Sequence, residues 1–201
     1  RSYPRLGRCV GRWMARLGAP AMAATGPATT YLSTPLSFEA NRGQADPAVR
    51  YLARGHGYTM LLTPAEVVLG LRSDTTPAKR AVIRMRFVDG AIGPALAGDE
   101  PLTARSSYLI GNDPAQWHTD VPLFARVRYP SVYPGIDAVV YGNQRALEYD
   151  LVVAPGVDPG RIVLGFRGAE RVAIDAEGAL VLHADGGDLI QRKPVTHQTI
   201  G

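Results

Sequence analysis

At 201 residues, with 46% apolar and 20% charged side chains, the chain can bury a core without metal or disulfide support and lies outside the composition of disorder. Its single cysteine, Cys9, excludes an intrachain disulfide and a cysteine-based metal cluster. The formal charge of +4 is local: residues 1–38 hold five arginines and no acidic residue, leaving 17 basic and 18 acidic groups in residues 39–201. The domain therefore carries no cationic excess for a nucleic-acid partner.

Residues 1–35 read as a basic, flexible leader and linker. Arg1, Arg5, Arg8, Arg12 and Arg16 lead into the small-residue run Gly18 to Ala24, with an A-x-A pattern at Ala21-Met22-Ala23. Arg16 interrupts the apolar centre that an export signal needs, so the stretch is either a degraded or truncated signal or a plain disordered leader. The first residue is not Met, which makes the chain read as a fragment. Residues 24–35, rich in Thr, Ala, Pro and Gly, form the linker. No segment approaches the ~18 uninterrupted apolar residues of a membrane-spanning helix.

From Leu36 to Gly201 the apolar spacing predicts one all-β domain, an antiparallel β-sandwich or packed β-sheets with short helical turns. Val49 to Ala53 and Tyr58 to Leu62 flank the hairpin signal Arg54-Gly55-His56-Gly57. Thr63-Pro64-Ala65-Glu66 turns the chain into a strand from Val67 to Arg72, and Ala81 to Val88 alternates as a half-buried strand does. Further strands are predicted at Val121 to Tyr129, Ala138 to Tyr141, Leu147 to Val153, Arg161 to Phe166, Arg171 to Ile174, Leu180 to His183 and Asp188 to Gln191, with Gly-, Pro- and Asn-bearing turns between them. The helical signal is one turn around Asp113 to Trp117, with Pro114 at its first position.

Several stretches, taken in order, carry a resemblance. They are Phe38-Glu39-Ala40-Asn41-Arg42-Gly43-Gln44, Tyr108-Leu109-Ile110-Gly111-Asn112-Asp113 with Trp117, Val127-Arg128-Tyr129 followed by Val132-Tyr133-Pro134-Gly135-Ile136-Asp137, Tyr141-Gly142, and Leu147 to Val153 with Pro155-Gly156. Together, over Leu36 to Ile200, they resemble the N-terminal domain of bacterial SBBP-repeat (predicted β-propeller) cell-surface proteins. The resemblance implies an extracellular or cell-surface location by export, and downstream propeller-like repeats of the same polypeptide as partners. It supplies no catalytic residues.

Two groups of side chains qualify as sites. Glu39, Asn41, Arg42 and Gln44 place four hydrogen-bonding groups within six residues, as a latch or as a site for a glycan or surface protein. As a latch, Arg42 pairs with Glu39 or with strand-end carbonyls and contributes more stability than the turn residue Asn41. Asp137, Glu148 and Asp150 offer carboxylates to a glycosidase, which needs two across a cleft. Glu148 and Asp150, two apart on a strand, share a face at ~7 Å, an ordinary arrangement on a solvent side. His56, His118, His183 and His197 show no metal or triad spacing, Asp185-Gly186-Gly187-Asp188 reads as a hairpin rather than a calcium loop, and no cofactor is expected. Trp117, Tyr129, Tyr133, Tyr141 and Tyr149 form either core or a glycan platform. The expected function is a non-catalytic interaction or scaffolding module; the alternative is a carbohydrate-binding or glycoside-hydrolysing domain.

Overall fold

The computed structural model describes residues 9–17, 35–55, 57–72, 80–91, 95–143, 146–185 and 188–198. In chain order the strands are β1 (Cys9–Leu17), β2 (Phe38–Ala40), β3 (Tyr51–Gly55), β4 (Tyr58–Leu62), β5 (Val67–Arg72), β6 (Arg80–Phe87) and β7 (Ala97–Tyr108). There follow β8 (His118–Tyr133), β9 (Ile136–Asn143), β10 (Ala146–Val153), β11 (Leu164–Arg167), β12 (Arg171–Ile174), β13 (Leu180–His183), β14 (Leu189–Gln191) and β15 (Val195–Gln198). Two 3-10 turns, Pro114–Gln116 and Pro159–Arg161, begin at Asp113 and Asp158, whose carboxylates accept from the N–H two residues on.

The predicted all-β class holds, and its architecture follows from the pairing of β8. Phe124 pairs with Phe38 of β2 and with Pro101 of β7, so these two strands lie on opposite edges of β8. Val127 pairs with Val140 of β9 and with Gly98 of β7 by the same logic. β2 and β9 thus occupy one edge of β8 in succession. Two antiparallel arms leave that edge, one running β2-β3-β4-β5-β6-β11 and the other β9-β10-β1-β14-β13-β12. Their far ends are β11 and β12, joined by residues 168–170 alone. Four Cα steps reach at most ~14 Å, little more than the ~10 Å between packed sheets, so the arms must curl and face each other.

The core fills the space between them. Phe38, Met60, Leu62 and Ile83 of one arm, Val127 and Tyr129 of β8, and Ile136, Tyr149, Leu151 and Leu182 of the other form one fully buried cluster. On β4, Tyr58, Met60 and Leu62 alternate with half-buried residues, and β10 alternates in the same way, the signature of strands with one face in a core. The Tyr133 hydroxyl clasps the arrangement shut. It lies 2.9 Å from the carbonyl oxygens of Val88 and Val163 and accepts the Val163 N–H at 3.2 Å, tying the end of β8 to the chain entering β11.

β8 is not regular where the arms diverge. Tyr129 faces Ala138 and Tyr133 faces Ile136, so β8 spends two more residues than β9 between these pairs. Ser131, at φ 52°, stands in that bulge, and Asp137 accepts its N–H at 2.8 Å.

β4, β5, β12 and β13 coincide with the predicted ranges. β7 was not foreseen: its residues are mostly exposed, Glu100 adopts φ 54° and Pro101 interrupts the run. It stands on β8 through backbone pairing that leaves no apolar alternation behind. Residues 9–17, assigned by sequence to the leader, form β1, paired with β10 on one side and with β14 and β15 on the other. Residues 1–8 and 18–34, with the A-x-A pattern, lie outside the described residues, as do His56 and the Gly186-Gly187 pair.

Burial pushes the Tyr58, Tyr129 and Tyr149 hydroxyls well above their ordinary pKa of 10. Their protonated form belongs to the folded state, so their contribution is complete below about pH 10 and is lost as pH rises towards the folded values. Each adds a slope of about 1.4 kcal/mol per pH unit above pH 10, so stability measured by urea titration should be level into mild alkali and then fall steeply. Of the nine tyrosines, these three should ionise only with unfolding, and phenolate absorbance equivalent to all nine in the folded chain near pH 10 would contradict their burial.

Candidate functional site

The segment after β2 folds back on one side chain. The Asn41 amide donates to the carbonyls of Ala45, Asp46 and Val49 at 3.2, 2.8 and 2.9 Å, and its oxygen accepts the N–H of Gly43 and Ala45 at 3.0 and 3.2 Å. Gln44 closes the same loop, donating to the Ala40 carbonyl at 2.8 Å and accepting the Arg42 N–H at 2.6 Å. Gly43 adopts φ 116°, and a Cβ there would lie 2.6 Å from the His118 ring, so the turn needs glycine on both counts. These groups satisfy backbone that has left the sheet.

Arg42 takes no part in this through its side chain. It is exposed and has no side-chain partner among the described residues, contrary to the pairing with Glu39 expected from sequence. Arg54 holds Glu39 instead, at 2.8 Å. Glu39 faces Leu52 across β2 and β3, which puts Arg54, two residues further along β3, on the same face as its diagonal neighbour. Tyr108 of β7 completes the cluster. Its hydroxyl donates to the second Glu39 oxygen and accepts from Arg54 at 2.6 Å, while the guanidinium lies 5.5 Å from the ring centroid. Burial first, and the bond to Glu39 second, raise the Tyr108 pKa against the opposing effect of Arg54. A neutral tyrosine that both donates and accepts in fixed bonds holds β2, β3 and β7 together; it has no remaining donor for a substrate.

The three carboxylates do meet on one face. Asp137 stands opposite Val152, and Val139 and Tyr141 stand opposite Asp150 and Glu148, so all three acids lie on the side of β9 and β10 away from the main core cluster. There they are engaged. Asp137 holds the β8 bulge through Ser131 and lies 3.4 Å from Arg128, which also reaches Asp99 at 3.2 Å. Tyr141 donates to Asp150 at 3.0 Å. Glu148 stands at the end of this row, opposite Tyr141 and beyond Asp150, half-buried and itself engaged with a neighbour.

Tyr129, Tyr133 and Tyr149 belong to the core cluster, Tyr141 is buried on the opposite face beneath Arg126, and Trp117 is exposed and donates to the Gly111 carbonyl at 3.2 Å. His183 sits between Arg171 (2.8 Å to Nε2) and Asp188 (3.0 Å to Nδ1). Because a guanidinium only donates, Nε2 accepts and Nδ1 carries the proton, so the imidazole joins the edge strand β12 to the turn before β14. Among the described residues no three His, Cys, Asp or Glu side chains gather as metal ligands, and no helix is long and apolar enough to cross a membrane. One feature had no sequence signal. An open groove of about 350 Å³ lies between the β4–β5 turn, the end of β6 and β11, bordered by Arg84, Arg86 and Arg167, with Tyr129 beneath them. Glu66 pairs with Arg84 at its rim.

The geometry reverses the expected ranking at the loop. Asn41→Ala should cost on the order of 2–4 kcal/mol, because it strips partners from several partly buried backbone groups at once, while Arg42→Ala should stay within about 0.5 kcal/mol. Urea melts of the two variants measure this, and equal midpoints would refute the latch.

Residues 38–201 match DUF7948, a domain of unknown function. No curated protein and no solved structure gives a significant match to the sequence. With more than three quarters of its length covered by that match, the chain belongs to the DUF7948 family.

Proposed function

We propose that this domain is a non-catalytic interaction or scaffolding module, exported to the cell exterior at the head of a longer repeat protein. The observation that carries the non-catalytic part is the use of its polar residues. Glu39, Asn41 and Gln44 serve the β2 junction, and Asp137 and Asp150 serve the β8–β9–β10 face, so the groups that a hydrolase would direct at a substrate are directed at the fold. Glu148 and Asp137 lie on a sheet face, where a glycosidase pair would flank a cleft. Export and the downstream repeats rest on the resemblance of the Phe38 to Gln44, Tyr108 to Trp117 and Leu147 to Val153 stretches to the head domains of SBBP-repeat proteins.

Two measurements divide this reading from a carbohydrate-active one. Incubated with a panel of plant and bacterial polysaccharides, the chain should release no reducing ends above background. Release that Glu148→Gln or Asp137→Asn abolishes, in variants that melt like the parent, would replace the proposal with glycoside hydrolysis. Expressed with its native upstream sequence in a bacterial host, the domain should be recovered outside the inner membrane, and complete cytosolic retention with active export machinery would remove the exterior location.

A further inference from the structure

The family match begins at Phe38, yet one strand of the sheet comes from before it. β1 makes eight register pairs with β10, from Cys9 with Val153 to Arg16 with Ala146. On its other edge it meets β14 through Ala15 to Leu17 and β15 through Cys9 to Arg12. Among the described residues no strand pairing joins β10 to β14 or β15 except through β1. The family domain therefore contains a slot one strand wide, whose walls would stand ~10 Å apart with unpaired N–H and C=O groups on both sides.

The slot has a sequence preference. Along β10, Leu147, Tyr149 and Leu151 are buried, with half-buried Glu148 and Asp150 between them, and Leu189 of β14 is buried opposite. Along the segment in register, Val10 and Met14 stand opposite Val152 and Glu148. Gly11, Trp13 and Ala15 stand opposite Leu151, Tyr149 and Leu147, Leu17 stands opposite Leu189, and Arg12 stands opposite Asp150. Main-chain pairing supplies affinity in such an arrangement, and alternate positions set the register.

We propose that this slot is a strand-acceptor site whose ligand is residues 9–17, held as an exchangeable donor strand and supplied by the same chain or by a second copy. The seventeen residues 18–34 separate donor from domain. Extended, they span up to ~60 Å, enough to reach a neighbouring molecule, while the tether keeps the chain's own strand ahead until copies approach about millimolar concentration. A cut within residues 18–34 frees the donor without removing the slot. The inference stands apart from the export proposal, because it needs only the pairing.

The test uses the full chain with a protease recognition sequence inserted between Ala24 and Thr25. After cleavage, a fluorescein-labelled peptide of residues 9–17 should enter the folded domain on gel filtration and displace the original fragment. A Trp13→Pro peptide, which has no backbone donor in mid-strand and fixes φ away from the strand range, should bind at least about tenfold more weakly. In a second arm, uncut chains carrying two different C-terminal tags are mixed at high concentration; co-purification that reverses on dilution assigns the second-copy source, and its absence restricts the donor to the chain's own strand. The proposal is overturned if the fragment stays bound and never exchanges, if it leaves a folded domain that takes up no peptide, or if cleavage unfolds the domain.

Discussion

One edge of β8 has two tenants, and the rest of the molecule accommodates that fact. A strand of 16 residues that gives Leu123 and Phe124 to β2 and the stretch from Val127 to β9 must launch two arms from nearly the same place. Two arms cannot lie in one plane beyond such a junction, so they separate into facing layers. The bulge between Tyr129 and Tyr133 supplies the local change of direction, and the link 168–170 at the far ends keeps the layers within packing distance. Burial of the shared core then stabilises what the connectivity requires; each large side chain in it contributes about 1.5–3 kcal/mol on burial.

The polar cluster around β2 follows from the same junction. β2 has three residues, with two register pairs to β3 and two to β8, too few ladder bonds to secure a strand at the point of divergence. Side chains make up the difference. Asn41 and Gln44 order the chain as it leaves β2, and Glu39 fastens β2 to Arg54 of β3 and Tyr108 of β7. A density of hydrogen-bonding residues that reads as a binding motif in one dimension is, in three, the reinforcement of a short strand. The exposed Arg42 guanidinium is the member of the motif that this requirement leaves over.

Strands whose alternation is set by the core were legible in the sequence, because burial on one face imposes a period of two. β4 and β10 are of this kind, and the turn capped by Asp113 was legible from Pro114 and the aspartate. β7 and β15 were not, since strands at an edge owe their place to backbone pairing, which has no sequence period. β1 was hidden by its arginines, which read as a leader. At the candidate site the identity of the segment was legible and its wiring was not. Proximity in sequence offered Glu39 the nearby Arg42, whereas strand register delivered Arg54 from fifteen residues away. The same register, unreadable before β9 and β10 are paired, brings Asp137 to the face of Glu148 and Asp150.

If β8 binds both arms into one cooperative unit, native-state amide hydrogen exchange reports it directly. Amides of β4 and β5 in one arm, β9 and β10 in the other, and the middle of β8 should exchange through a single opening with one free energy and one denaturant dependence. Protection that persists in β4 and β5 while β9 and β10 exchange through a separate, lower-energy opening would contradict the account.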